Sequence, residues 1–325
     1  MTKIDLITGI LGSGKTTFLL RYGKWLLDKG ERIAIIVNDF GAVNVDLLLL
    51  QDLKCENCEI VTICGCGDPN AHRRRYKTQL IALGMQHFDR VLIEPSGIFD
   101  MDEFFDTLFE SPLDRWFEIG SVLTIIDAEM DEQLADQMEF LLGSEAASAG
   151  KLVLSKLSSV ADEPREALTA RILNHVNRAL ESIQADRRFI EDDLFVKDWD
   201  SLTDADFELL EHAGYRGASY VKLFSSQTIR SSVHYFMHLR FPEEQIAATV
   251  RAVMDDPACG RVYRIKGSLP AGDGWRKINV TKEKTEISPV TNGQAVLIVI
   301  GDDLDKERID AHFQAVNADP DYVSV

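Results

Sequence analysis

Short, almost unbroken apolar runs recur along the first half of the chain: Ile4–Thr8, Arg32–Asn38, Val91–Ile93, Val122–Ile126 and Leu152–Leu154. Runs of this kind are what strands buried on both faces show, as parallel strands are. Helical stretches fill the gaps. Thr16–Asp28 has helical periodicity and stops at Lys29-Gly30, a C-cap signal. Strand and helix in alternation predict an α/β fold, a doubly wound, mostly parallel sheet with helices on both faces. From residue 156 to about 215 the chain is more polar and predicts helices packed on that sheet. A different pattern then begins. Tyr220–Phe224 reads as a strand, Pro242–Met254 as a helix, and Gly260–Leu269, Trp275–Val280 and Thr285–Pro289 as antiparallel strands. Ala295–Ile300 follows as a strand and Leu304–Val316 as a helix, so residues 216–325 predict a smaller C-terminal α+β domain behind a larger domain, 1–215.

Composition narrows the partners. The chain has 325 residues, enough for one large and one smaller core, and a formal net charge of −18. Such an acidic chain repels phosphate backbones and anionic lipid, which argues against nucleic acid and membrane as main partners. The run Arg73-Arg74-Arg75 is a local exception and reads as a solvated helix face. No apolar run approaches the ~20 residues of a membrane span. The start, Met1-Thr2-Lys3-Ile4-Asp5, does not have the pattern of a signal peptide, so a cytoplasmic setting is expected. Cysteines there stay reduced, and clustered ones point to metal or redox chemistry rather than disulfides.

The first chemical signal is Gly9-Ile10-Leu11-Gly12-Ser13-Gly14-Lys15-Thr16, a G-x-x-x-x-G-K-[ST] loop between a predicted strand and a predicted helix. Gly9, Gly12 and Gly14 let the backbone curl so that amide N–H groups, with that of Ser13, face phosphate oxygens. The helix directs its positive end to the same place. Lys15 would reach the β- and γ-phosphates, and Thr16 would ligate Mg²⁺. Two carboxylates follow at predicted strand ends, where ligand loops of such sheets lie. Asp39, in Asn38-Asp39-Phe40-Gly41, could reach Mg²⁺ directly or through water. Glu94 closes Val91-Leu92-Ile93-Glu94 as a second acidic group near the metal, and Gly97 would turn an amide toward the γ-phosphate.

Between these carboxylates lie Cys55, Cys58, Cys64 and Cys66, spaced C-x₂-C-x₅-C-x-C. Four thiolates can close a tetrahedral Zn²⁺ site, and soft sulfur also suits Fe–S clusters or Cu(I). A smaller site is the alternative: Cys64 and Cys66 with a carboxylate such as Glu59 or Asp68. Cys259 stands apart and reads as a small buried residue. His234 and His238 are four apart; they read as satisfied side chains on one face of a packed helix, with a metal role the lesser reading.

In this order, the G-x-x-G-x-G-K-T-T loop (Gly9 to Thr17), Val37-Asn38-Asp39-Phe40-Gly41, Cys64-Gly65-Cys66 and Ile93-Glu94-Pro95-Ser96-Gly97 resemble the CobW-type family of metal-handling P-loop GTPases. Tyr263–Gly267 and Val299–Asp305 are similar to recurring segments of that family's small second domain, so the resemblance covers nearly the whole chain. It implies GTP or ATP hydrolysis coupled to transfer of a thiolate-bound metal to a client metalloprotein or cofactor-synthesis enzyme. Nucleotide contacts would come from Gly9, Gly12, Ser13, Gly14, Lys15, Thr16, Thr17, Gly97 and Lys156, with Lys15, Asp39 and Glu94 at the centre of catalysis. Zinc is the first expectation for the cysteines, with cobalt, nickel or Fe–S as alternatives. A homodimer closing over nucleotide is a further implication by analogy.

Three departures qualify the resemblance. The family's C-x-C-C becomes Cys64-Gly65-Cys66-Gly67, while Cys55 and Cys58 are additional. The guanine-reading [NT]-K-x-D element becomes Ser155-Lys156-Leu157-Ser158. Lys156 can still lay its stem along the base, but Ser158 offers no carboxylate to the guanine N–H donors, so GTP and ATP are expected to bind within about tenfold of each other. The seven histidines are scattered, which does not support bulk metal storage. Two rival readings remain open: an ATPase whose Fe–S cluster drives electron transfer to a partner, and a non-enzymatic metal-responsive binding module switched by nucleotide.

Overall fold

The computed structural model describes residues 1–39, 50–64, 69–95, 101–130, 133–223, 233–272, 274–282, 284–291 and 293–324. Within them the chain forms two compact units, each built on its own sheet.

In the first unit the apolar runs become seven strands: β1 (Thr2–Thr8), β2 (Ile33–Asp39), β3 (Cys58–Cys64), β4 (Arg90–Glu94), β5 (Phe117–Asp127), β6 (Lys151–Ser155) and β7 (Leu194–Phe195). Their order is β3-β2-β4-β1-β5-β6-β7, and every pairing is parallel. Burial on both faces explains why the runs carry no alternation: Ile33, Ala34, Ile35 and Ile36 are all fully buried. Each of the three isoleucines stabilises the fold by about 1.5–3 kcal/mol relative to exposure. Helix α1 (Lys15–Asp28) lays Phe18, Leu19, Tyr22, Trp25 and Leu26 onto this sheet, where they join Phe207 and Leu210. Strand β3 is absent from the apolar pattern because Cys58, Glu59, Thr62 and Cys64 interrupt its hydrophobic residues.

The second unit carries β8 (Val233–Met237), β9 (Arg261–Ala271), β10 (Gly274–Thr281), β11 (Thr285–Val290), β12 (Val296–Asp302) and β13 (Val323–Ser324). They form an antiparallel sheet in the order β11-β10-β9-β12-β8, with β13 at the edge beside β8. Helices Glu243–Asp255 and Lys306–Gln314 supply Ile246, Val250, Val253, Ile309 and Phe313 to its core. Two expectations are corrected here. Residues 220–223 have no regular structure, so the strand read at Tyr220–Phe224 does not form in its described part, and Phe224 lies outside the described residues. The strand that pairs with β12 is Val233–Met237, where the sequence reading put a helix bearing His234 and His238. β-branched and aromatic residues favour a strand once cross-strand partners exist, and here Tyr235 and Phe236 lie opposite Ile298 and Leu297 of β12. His234 therefore sits in a strand and His238 just beyond it at φ 58°, not on one helix face. Among the described residues, no helix is long and apolar enough to cross a membrane.

Candidate nucleotide and metal site

The loop between β1 and α1 has the backbone its glycines allow. Gly9, Gly12 and Gly14 take φ of 130°, 86° and 105°, a region costly for any residue with a Cβ. Space is equally restrictive at Gly9, where a Cβ would meet the Ile125 carbonyl oxygen at 2.4 Å and Ser13 Oγ at 2.8 Å. Gly14 caps α1 without a side-chain hydrogen bond. The buried Lys15 arches back, its Nζ donating to the carbonyls of Gly9 at 2.7 Å and Ile10 at 3.3 Å. Ser13 Oγ is buried and has no hydrogen-bond partner among the described residues. A positive side chain, an open helix N-terminus and an orphan hydroxyl on one glycine loop fit a bound polyphosphate.

Thr16 Oγ1 donates to Glu94 Oε1 at 2.7 Å, and both side chains are buried. The register explains the meeting: Leu6 of β1 pairs with Ile93 of β4, so Glu94 closes its strand beside the loop that leaves β1. A hydroxyl and a carboxylate in contact make a hard oxygen donor set, which fits Mg²⁺. On the other side of β4, Val37 of β2 pairs with Glu94, and Asp39, two residues on, ends β2. The Asp39 side chain, and Phe40, Gly41 and Gly97, lie outside the described residues. Thr17, the next residue of α1, is exposed.

The cysteines divide. Asp39 of β2 pairs with Cys64 of β3, so Cys64 is at the nucleotide end of the sheet, while Cys58 pairs with Ile33 at the opposite end. Six strand steps at ~3.3 Å each separate the Cα atoms of Cys58 and Cys64 by about 20 Å. Thiolates on one zinc lie within about 4 Å of each other, given Zn–S bonds of about 2.3 Å. Cys55, Cys58, Cys64 and Cys66 therefore cannot share an ion, which corrects the four-thiolate reading. Glu59 is ruled out with them, because it is the second residue of the same extended strand. Cys55 and Cys58 form a tight turn instead, the Cys58 N–H donating to the Cys55 carbonyl at 3.1 Å. Burial, reinforced by the charge of Cys55, pushes the Cys58 thiol up to about 12. What remains at the phosphate-loop end is Cys64; its side chain, Cys66 and Asp68 lie outside the described residues.

Ser155 ends β6 beside the same loop, and Lys156-Leu157-Ser158 follows it. Ser155 Oγ donates to the Ser13 carbonyl at 2.6 Å. Lys156 turns the chain at φ 55° and pairs with Asp127, the last residue of β5. Ser158 is exposed on the short 3-10 turn beyond it.

Several buried polar residues escape the sequence reading. Glu145, fully buried on the helix Asp136–Ala147, accepts the Gly9 N–H at 3.2 Å and braces the phosphate loop from beneath. Trp199 lies over Gly14, 3.2 Å from where a Cβ would stand, and packs on Phe18 at 5.4 Å. At the far end of the sheet Arg90, buried, pairs with Asp5 at 2.6 Å, Glu31 at 3.1 Å and Glu211 at 2.5 Å. Burial works against the charge of its guanidinium, but Asp5, Tyr22 and Glu31 outweigh it and hold Arg90 charged, above its ordinary value. A cavity of about 690 Å³ opens there, lined in part by Lys3, His87, Arg115 and Trp116, remote from the phosphate loop. By contrast Arg73, Arg74 and Arg75 are exposed on the helix Pro69–Gly84, as expected, with Arg73 pairing with Glu110 at 2.7 Å.

The model of the CobW/HypB/UreG nucleotide-binding domain matches residues 3–184. The zinc chaperone YeiR of Escherichia coli is 34% identical over 173 residues, 52% of this chain and 50% of YeiR. The zinc chaperone YjiA of the same organism is 30% identical over 159 residues, 47% of this chain and 48% of its own length. The zinc chaperone CobW of Pseudomonas aeruginosa is 25% identical over 233 residues, 57% of this chain and 56% of its own. This chain thus spans about half the length of the curated relatives it matches. Among solved structures, zinc-bound YjiA GTPase from E. coli aligns over 97% of this chain and 99% of its own, with 19% identity and a TM-score of 0.41.

Proposed function

Because the chain belongs to the CobW/HypB/UreG family, we propose that it is a nucleotide-hydrolysing metallochaperone that carries zinc on Cys64 and Cys66 and releases it to a client protein. GTP is the nucleotide this membership favours. Gly9, Gly12, Ser13 and Gly14 hold its phosphates, Lys15 neutralises the charge that builds during transfer to water, and Thr16, Glu94 and Asp39 hold Mg²⁺. Mg²⁺ supplies charge neutralisation at the β- and γ-phosphate oxygens. Zinc is the cargo, and thiolates are the donors that suit it.

One observation carries this reading: the β2–β3 register that places Cys64 against Asp39, with Glu94 on the neighbouring strand. Nucleotide and metal segments leave adjacent strand ends, so a loop drawn in by the γ-phosphate and relaxed after its loss moves the residues next to the thiolates. Coupling of this kind is reciprocal. Zinc affinity should differ at least about fivefold between the protein with a non-hydrolysable GTP analogue and with GDP, and zinc should shift nucleotide affinity by the same factor. Competition titrations with a chromophoric chelator measure both. Equal zinc affinities in the two nucleotide states would end the proposal. The Fe–S ATPase reading loses its four-thiolate ligand set once β3 separates the cysteine pairs.

A further inference from the structure

In the antiparallel unit, three side chains of metal-ligating type converge from two elements. Asp256 caps the one-turn helix Pro257–Cys259, its Oδ1 accepting the Ala258 N–H at 2.9 Å. Cys259 ends that turn, fully buried, and its carbonyl accepts the Asp305 N–H at 3.1 Å. That bond ties the turn to the start of the helix Lys306–Gln314, which Asp305 itself caps by accepting the Arg308 N–H at 2.9 Å. Two helical turns beyond Asp305 on the same face, His312 brings Nε2 to 2.8 Å from Asp256 Oδ2. One oxygen of Asp256, the sulfur of Cys259 and one nitrogen of His312 all lie within 4.8 Å of one another. Tetrahedral zinc with Zn–S near 2.3 Å and Zn–N or Zn–O near 2.0 Å sets its ligand atoms roughly 3.3–3.6 Å apart. Small changes of side-chain torsion span the difference.

We propose that Asp256, Cys259 and His312 form a binding site for a borderline-soft divalent cation, zinc foremost, separate from the cysteines at the nucleotide end. Sulfur, imidazole and carboxylate together are a zinc donor set, and three protein ligands leave a fourth position open to water or an exchanging ligand. Charge agrees: a thiolate and a carboxylate balance Zn²⁺. The rival chemistry for a cysteine, histidine and aspartate in contact is a thiolate nucleophile. Cys259 is fully buried, whereas a reactive thiolate needs to be within reach of its substrate. Arg308 also donates to Asp256 Oδ2, at 3.0 Å, but its side chain is 52% exposed and can swing into solvent when a cation takes its place. An open three-ligand site suits exchange of zinc more than permanent structural zinc. The inference rests on this cluster alone and stands or falls independently of the nucleotide-end cysteines.

The test removes every other thiol. With Cys55→Ser, Cys58→Ser, Cys64→Ser and Cys66→Ser combined in the full chain, Cys259 is the sole remaining cysteine of five. Titrated with Co²⁺, this variant should bind one equivalent with a thiolate-to-cobalt charge-transfer band that Zn²⁺ displaces. Adding His312→Gln should weaken binding tenfold or more, since even outer-shell partners of a metal ligand cost 10–100-fold. No thiolate band, or a band and affinity that His312→Gln leaves unchanged, overturns the proposal. Should the fourfold variant fail to fold, the native chain with His312→Gln alone, at a partly exposed side chain, must show one zinc equivalent per chain weakened tenfold or more across an equilibrium-dialysis isotherm. An unchanged isotherm overturns the proposal equally.

Discussion

Ser158 shows how one side chain can set what a nucleotide site reads. It is exposed on the turn after Lys156, in the position where a guanine reader would offer a carboxylate. A hydrogen bond to a charged group contributes roughly 1.5–3 kcal/mol, and about 1.4 kcal/mol is a factor of ten, so the missing carboxylate forgoes roughly ten- to a hundredfold of discrimination. The chain should bind GTP and ATP within about tenfold of each other, and Ser158→Asp should move the ratio toward GTP by about tenfold or more in direct titration. A wild-type preference above about a hundredfold, or a variant with an unmoved ratio, contradicts this. Residues like Ser158 and Gly9 are legible in sequence because a short contiguous motif defines them. Glu145 and Arg90 are not: Glu145 meets Gly9 across 136 positions and Arg90 meets Glu211 across 121, and no local pattern announces either contact.

Among the elements, β3 decides which cysteines lie together. Its mixed composition hides it in sequence, and the closeness of four cysteines along the chain suggests a closeness in space that an extended strand forbids. The misreading at Val233–Met237 has a related origin, for a short aromatic-rich run takes its state from cross-strand partners far away in the chain. A short local motif that the sequence reading passed over opens the helix Asp204–Glu211: a capping box, Thr203 donating its hydroxyl to Asp206 Oδ2 at 2.6 Å while Asp206 also accepts the Thr203 N–H at 2.7 Å. The Lys197 ammonium at 2.5 Å, then the two Thr203 donors, hold the Asp206 carboxyl down to about 2. Its folded pKa is depressed, so its contribution to stability is full above the unfolded value of about 3.9 and is lost as pH falls through about 2. Wild type should therefore exceed Asp206→Asn in melting temperature at pH 6, and the gap should close between about pH 4 and pH 2. A gap that persists unchanged at pH 2 would contradict the assignment.

For the whole molecule, the alternating apolar runs foretold the parallel sheet, and the later mixture of strands and helices foretold a separate antiparallel unit. Sheet order was not legible, and order is what matters for function. Because β2 lies between β3 and β4, the chain carries Cys64 and Glu94 to the same end of the sheet while leaving Cys55 and Cys58 at the other. Under the proposed function, zinc that answers to nucleotide is therefore expected on Cys64 and Cys66 and not on Cys55 and Cys58. The measurement that tests this most directly compares zinc affinity, with a GTP analogue and with GDP, in Cys64→Ser/Cys66→Ser and in Cys55→Ser/Cys58→Ser. The account predicts that the nucleotide-dependent zinc equivalent disappears from the first variant and persists in the second. Its survival in the first, or its loss from the second alone, would contradict the account.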